Sequence, residues 1–487
     1  MASVAVLYGD PMLDGIDEVD WSAHLGAYGP AAEAPGILRA MAAPDVNTAA
    51  KGRYDFASSL WHQGTVYPVT VLAVPFLLEL ATTPGVHSRD DLLHIVGALC
   101  DRRQTTGADQ PAVHAAVAAR SDVLLPQLAD PDPTVRECAA FAVANCGRHT
   151  AAALERQLAT EQHPMVVASL LLGLACQDPA GAADRLRAAA LNRPFPVPAA
   201  AALALARAGL PLPDEMIVPV ATAIAGGAGW DSPWLTTGDP LGEILDRVDR
   251  ATAAALVGAL TVGGADPADP GDPTRPTRGA DGCRVARVRV ARAAARRFRH
   301  WRSAPPDLMP HVRDLLGDRD PQVCGVAVEA AAHGGEPAGT VADELARIAV
   351  AGRDTHRGAA QVALNTLVRL AHPGWRAPML AAWAEGRDPA ATDLFDDYPP
   401  AFDPEILAAA RHRLAAQLAT GVRGNPVRVL VGLLGGWGPD AAVAVGDLMT
   451  ALSLAPAGVP AALAGIGPAA LVAVPSLLVA ARSGDVQ

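Results

Sequence analysis

The stretch Asp130-Pro131-Asp132-Pro133-Thr134-Val135-Arg136-Glu137-Cys138-Ala139-Ala140-Phe141-Ala142-Val143-Ala144-Asn145-Cys146-Gly147 decides how this chain folds. Its two prolines sit in a turn, and the residues after them read as a short helix whose packing side carries small apolar side chains. Degenerate copies recur. Asp318-Arg319-Asp320-Pro321-Gln322-Val323 leads into 324–332, Glu161-Gln162-His163-Pro164-Met165-Val166 into 167–176, and Arg423-Gly424-Asn425-Pro426-Val427-Arg428 into 429–434. A unit that repeats both its turn chemistry and its small-residue helix face is built to stack on copies of itself.

Composition agrees. The chain has 487 residues, too many for one ordinary core, and is 51% hydrophobic but only 4% aromatic, so Ala, Leu and Val carry the burial. Few segments alternate with period two, which leaves an all-α reading. The net charge of −12 opposes general affinity for a phosphate backbone, which needs clustered Lys and Arg. Nucleic acid is therefore disfavoured as a partner, and protein or peptide is expected.

The six cysteines, Cys100, Cys138, Cys146, Cys176, Cys283 and Cys324, form no C-x-x-C pair and no metal spacing; they read as small hydrophobes in a reducing cytoplasm. The first ten residues lack the basic region and long apolar run of a signal peptide. The 13 histidines show no ligand spacing, and no P-loop, G-x-S-x-G or G-x-G-x-x-G is present, so neither a reaction nor a cofactor is indicated.

Along the chain, residues 1–56 read as an irregular N-terminal cap, 57–262 as a first helical array, 263–283 as a Pro/Gly/Asp-rich linker or insertion, and 284–487 as a second array. A second loop, Asp393–Pro404, precedes the last helices. The uncharged run 448–481 has the composition of a membrane span, but Pro456, Pro460, Pro468 and Pro475 cut it into pieces far shorter than the ~20 residues a spanning helix needs. Short helices buried in the array are expected there.

Asp132-Pro133-Thr134-Val135-Arg136, followed by Ala139, Ala140, Ala142 and Gly147, resembles the HEAT-repeat signature, and 466–478 resembles its first-helix version in bacterial HEAT-like proteins. The resemblance implies a right-handed α-solenoid of stacked antiparallel helix pairs that binds a macromolecule. It also implies an Asp–Arg ladder between neighbouring turns, interrupted where His163 replaces Asp and Cys324 replaces Arg.

Three clusters stand out as binding candidates. Trp61, His62, Gln63 and Tyr67 flank a Gly turn and combine rigid contact area with hydrogen-bonding groups. Trp230, Asp231 and Trp234 place two indoles around a carboxylate, an arrangement that either sandwiches a flat or cationic group or anchors the loop by its rings. That pair resembles, in residue type, HEAT-like alkylpurine DNA glycosylases, making a base glycosylase the alternative function; a toxin-neutralising partner is another. Arg289, Arg292, Arg296 and Arg299 recur at helical spacing and share one face, widened by Arg284, Arg287, Arg297 and Arg302, while Val285, Val288, Ala295 and Phe298 lie toward the opposite side.

Overall fold

The computed structural model describes residues 12–226, 230–236, 239–264, 280–302, 305–351, 357–388, 394–421, 425–453, 455 and 458–483. The expected linker core at 265–279, the start of the second loop at Asp393 and the N-terminal ten residues lie outside them. Two compact units divide at Gly263/Gly264.

In the first unit, two 3-10 turns and a hairpin of β1 (Leu25–Gly26) and β2 (Gly29–Pro30) precede α1 (Ala34–Met41) and α2 (Val46–Asp55). The segment expected to be irregular thus carries two helices. Trp21 holds it down: its ring lies 5.8 Å from Phe76, and its indole N–H donates to the Ile16 carbonyl at 2.7 Å. A second hairpin, β3 (Trp61–His62) and β4 (Thr65–Val66), leads into α3 (Pro68–Thr82), α4 (Arg89–Cys100), α5 (Gln110–Ala118) and α6 (Ser121–Leu124). Helices α7 (Pro133–Asn145), α8 (Ala151–Thr160), α9 (Pro164–Gln177), α10 (Pro179–Asn192), α11 (Val197–Arg207), α12 (Asp214–Gly226), α13 (Pro240–Arg247) and α14 (Arg250–Gly264) complete it.

One layer is the continuous row α4, α7, α9, α11, α13, each packed on the next; α8 and α10 pack behind it. The second unit repeats the arrangement. Its row is α15 (Ala280–His300), α17 (Pro321–Ala332) and α19 (Arg357–Arg369), continuing through α21 (Leu394–Asp397), α23 (Asn425–Gly436) and α25 (Val459–Ile466). Helices α16 (Pro305–Leu316), α18 (Ala342–Ala351), α20 (Arg376–Ala384), α22 (Pro404–Ala419) and α24 (Val445–Ala451) form the other layer, with α26 (Val474–Ser483) last. Each unit is an α-solenoid, as the repeated turn implies.

Local chemistry explains the repeat. Asp132 caps α7 by accepting the Thr134 N–H at 2.8 Å, and Pro133 occupies the first helical position, where no amide is needed. Asp239, Asp320 and Asp403 cap α13, α17 and α22 in the same way, each followed by Pro. Small residues set helix spacing: a Cβ on Gly97 of α4 would meet the Phe141 ring at 2.5 Å, and one on Gly435 would meet Ala462 at 2.6 Å.

The ladder between turns survives where the signature breaks. Arg89 reaches Asp130 at 2.9 Å, and Arg136 grips Glu161 through Nε (2.9 Å) and Nη2 (3.1 Å). His163 caps nothing, but Glu161, two residues earlier, accepts the His163 N–H at 2.9 Å and supplies the carboxylate that Asp130 supplies one turn before. In the turn before Cys324, Arg287 meets Asp318 at 2.7 Å, the counterpart of the Arg89–Asp130 pair.

The last apolar run departs from expectation. Val459–Arg482 has a mean hydropathy of 2.0 and only 28% of its most apolar window is buried. Leu471, Val472, Leu478 and Val479 are each more than half exposed rather than packed inside. They fall on a 3-10 turn and α26, beyond which no further described helix stacks.

Burial pushes the Glu161 carboxyl up, but the Arg136 guanidinium and the His163 amide outweigh it and hold it at about 2. Because the folded value lies below the unfolded 4.5, the pair stabilises the fold above that pH and stops doing so as pH falls towards 2. Arg136→Ala should lower stability in thermal unfolding at neutral pH by roughly 2 kcal/mol and flatten the acid limb of the pH profile. An unchanged limb would show that the ladder contributes little.

Candidate functional site

The hairpin β3–β4 turns at Gln63 and Gly64, both in the left-handed region (φ 49° and 79°), as a two-residue turn matching strand twist requires. Gly64 is needed for a second reason: a Cβ there would sit 2.5 Å from the Gln104 carbonyl. The Thr106 N–H donates to the Gly64 carbonyl at 2.8 Å and the Val66 N–H to the Thr106 carbonyl at 3.0 Å, which pins the loop following α4 against the hairpin. Trp61 Nε1 donates to Thr105 Oγ1 at 3.1 Å. Trp61 and His62 are half-buried, His62 lying against exposed Tyr28 at 5.5 Å; Gln63 is exposed and Tyr67 half-buried at the start of α3. The hairpin therefore acts as a brace for residues 101–106.

That loop is organised by Asp101. Its carboxylate takes Arg103 Nε at 2.9 Å, Arg103 Nη2 at 2.8 Å and Gln104 Nε2 at 3.3 Å. Burial pushes Asp101 up, and the Arg103 contacts bring it down below its ordinary value. Gln104 also donates to the Pro233 carbonyl at 2.8 Å, which joins this loop to 230–236.

Of the two readings of Trp230, Asp231 and Trp234, the ligand sandwich is not formed and the rings anchor the loop. Trp230 and Trp234 are each 1% exposed, while Asp231 points to solvent. Trp234 meets Phe141 edge-on at 4.9 Å and donates its indole N–H to Ser169 Oγ at 2.8 Å; Ser169 in turn donates to the Glu137 carbonyl at 2.9 Å. Ser232 donates to the Glu137 carboxyl at 3.0 Å. The loop is laid across α7 and α9 and anchored by apolar rings, because an indole gains more by burial than by exposure to water.

What the loop builds is a row of arginines at the C-terminal ends of α4, α7, α11 and α13, with Cys176 and Gln177 at the end of α9 between them. Arg207, the last residue of α11, grips Glu243 of α13 through Nε (2.8 Å) and Nη2 (2.7 Å), and Nη2 also donates to the Trp234 carbonyl at 2.8 Å. The Arg103 guanidinium lies 5.4 Å from the Trp234 ring centre. Arg103, Arg207, Arg247, Trp234 and Cys176 line a cavity of about 320 Å³. Arg103 and Cys176 also line an adjoining cavity of about 570 Å³, with Arg102, His114, Asn145, Arg148 and Gln177. The signal for this site was scattered over five helix ends, and only the stacking collects it. Among the described residues no cluster has the makings of a metal site.

In the second unit the arginine stripe is divided. Arg292 and Arg299 are exposed and Arg289 and Arg296 half-buried, but Arg297, expected to widen the patch, is 3% exposed and stacks on Trp301 at 4.4 Å. Val285, expected on the opposite side, is exposed. Burial first, then Arg299 and Arg369, push His333 below its ordinary value, so α15, α17 and α19 also end in basic groups.

No family model and no curated protein sequence matches the chain. Among solved structures it is similar to importin beta (13% identity, TM-score 0.47, covering 89% of this chain and 55% of that one). It is also similar to Kap121p bound to Pho4p (12%, 0.34, 92% and 55%) and to an engineered protein (17%, 0.29, 82% and 98%). The chain spans about half the length of these karyopherins, and likeness at this level carries no partner or chemistry to it.

Burial raises Glu137 to about 7, with the Ser232 hydroxyl opposing and Asp231 adding to the rise. The folded state thus keeps a proton that the unfolded chain, at 4.5, gives up, so stability is full below 4.5 and is lost as pH rises to about 7. Glu137→Gln should remove that slope and raise stability at mildly alkaline pH by up to roughly 3 kcal/mol. Thermal melts across pH check it; a slope unchanged in the variant would assign it elsewhere.

Proposed function

We propose that this chain is a HEAT-like binding scaffold, and that its recognition face is the arginine row of the first unit, which receives an acidic segment of a protein partner. One observation carries the reading. In a chain of net charge −12, Arg102, Arg103, Arg148, Arg207 and Arg247 border two adjoining cavities, and the carboxylates that pair with them are Asp101, Asp178 and Glu243. A local cationic face on an acidic molecule attracts and orients an acidic partner.

Protein is favoured over nucleic acid on two grounds. The carboxylates interleaved with the arginines repel a continuous phosphate backbone, and the two indoles that a flipped base would stack on are buried. The same burial removes the support for a base glycosylase.

Fluorescence anisotropy with a fluorescein-labelled polyglutamate peptide and a labelled single-stranded DNA tests this. The peptide should bind, with affinity falling as salt rises. Arg102→Glu with Arg148→Glu, both on exposed side chains, should weaken it about tenfold or more without changing the melting temperature. Retention of DNA but not peptide would overturn the reading.

A further inference from the structure

Within that face, and resting on its reading as a protein-binding surface, we propose that the cavity between Arg103 and Arg207 receives a single carboxylate of an extended peptide, while Gln177 accepts an adjacent backbone N–H. The argument begins with donors held in place and left over. Arg207 commits Nε and Nη2 to Glu243 and Trp234, and its buried Nη1 has no acceptor. Arg103 commits Nε and Nη2 to Asp101, and its Nη1 makes no hydrogen bond among the described residues. Both side chains line the cavity of about 320 Å³, whose other walls include Trp234, Leu172 and Ala204.

A guanidinium gripped on one edge presents its other edge in a fixed plane. An arriving carboxylate then orders little that is not already ordered, which is how a preorganised site gains affinity. The two positive groups lie close enough for Arg103 to disfavour the charge on Arg207, after burial, which is the larger effect. An anion between them relieves that repulsion.

The acceptor is equally constrained. Gln177 is 7% exposed, and its Nε2 shares its two hydrogens among three acceptors, the Ala144 carbonyl (2.9 Å), the Gly147 carbonyl (2.9 Å) and Thr150 Oγ1 (2.8 Å). Three acceptors around one amide nitrogen forbid the flipped orientation, so Oε1 is held opposite them; it has no partner. A buried acceptor left without a donor costs about 1–3 kcal/mol, which a ligand N–H recovers. Gln177 lines the adjoining cavity next to Cys176, which with Arg103 is shared by both.

Charge selects the ligand class. Arg103, Arg207 and Arg247 face Asp101 and Glu243, an excess of one positive charge (three less two). That excess matches a carboxylate. A free phosphomonoester presents acceptors only and would leave Gln177 Oε1 empty, and a phosphoserine peptide supplies the N–H but carries about −1.5 to −2, more than the excess at this cavity. A peptide bearing Asp or Glu supplies both the anion and the N–H.

The test is a fluorescein-labelled Gly/Ala peptide carrying one Glu, with three relatives: Glu→Gln, N-methylation of the amide that follows Glu, and phosphoserine in place of Glu. The Gln peptide should bind at least tenfold more weakly, the N-methyl peptide about fivefold more weakly, and the phosphoserine peptide no more tightly than Glu. Arg103→Lys and Arg207→Lys keep the charge but lose the fork, and each should weaken the Glu peptide about tenfold. Gln177→Leu should abolish the N-methyl penalty; it and Arg103→Lys keep the test open should Arg207→Lys fail to fold. Equal binding of the Glu and Gln peptides, tenfold tighter phosphoserine binding, or wild-type affinity in both lysine variants would overturn the proposal. If polyglutamate binds while the single-Glu series shows no differences, the pocket falls and the broader face stands; if neither binds, both fall.

Discussion

At Gly97 the backbone of α4 comes so near α7 that only a hydrogen fits where a side chain would stand, and the Phe141 ring fills the space above it. That closeness is repeated along the layer by Gly173 against Ala144, and in the second unit by Gly435 against Ala462. Side chains this small gain little by burial one at a time. They stabilise the stack by letting whole helices touch, where many weak dispersion contacts add up. A layer packed this tightly sets the helices in register, so the C-terminal ends of α4, α7, α9 and α11 border two adjoining cavities.

Those ends are where the polar chemistry collects. Carbonyls at a helix C-terminus favour positive side chains, and the arginines there gain from the dipole as well as from Asp101 and Glu243. Desolvating such pairs is expensive, and a hydrophobic pair of similar volume is often as stable. Each pair fixes one edge of a guanidinium and leaves the other available. The loop 230–236 is part of the same device: Trp234 is buried against Phe141, and its carbonyl holds Arg207 in place.

Much of this was legible locally. Asp followed by Pro at a helix start is a cap with its own physical reason, and Asp132, Asp239, Asp320 and Asp403 all perform it. The ladder was only half legible, because Glu161, two residues before the uncapped His163, supplies the carboxylate that Asp130 supplies in the preceding turn, which a residue-by-residue match with a signature does not reveal. Trp230 and Trp234 looked like a ligand clamp since aromatic residues in a polar loop have the composition of a binding site; whether an indole faces a ligand or a core depends on what stands opposite. For the arginine stripe of α15, helical spacing correctly placed Val288, Ala295 and Phe298 inside, but Arg297 found a place over Trp301 that spacing cannot show.

The sequence by itself determined what is set within a few residues of chain: the capped turns, the helices after them, the absence of a sheet beyond two short hairpins among the described residues, and the stacking implied by small side chains. Only the tertiary structure decided which polar groups meet. Arg103 and Arg207 are more than a hundred positions apart, and Gln177 acquires its fixed orientation from acceptors on α7 and the turn after it. A recognition face on a solenoid is assembled from one or two residues per repeat, so its chemistry is invisible until the repeats are stacked and their ends brought together.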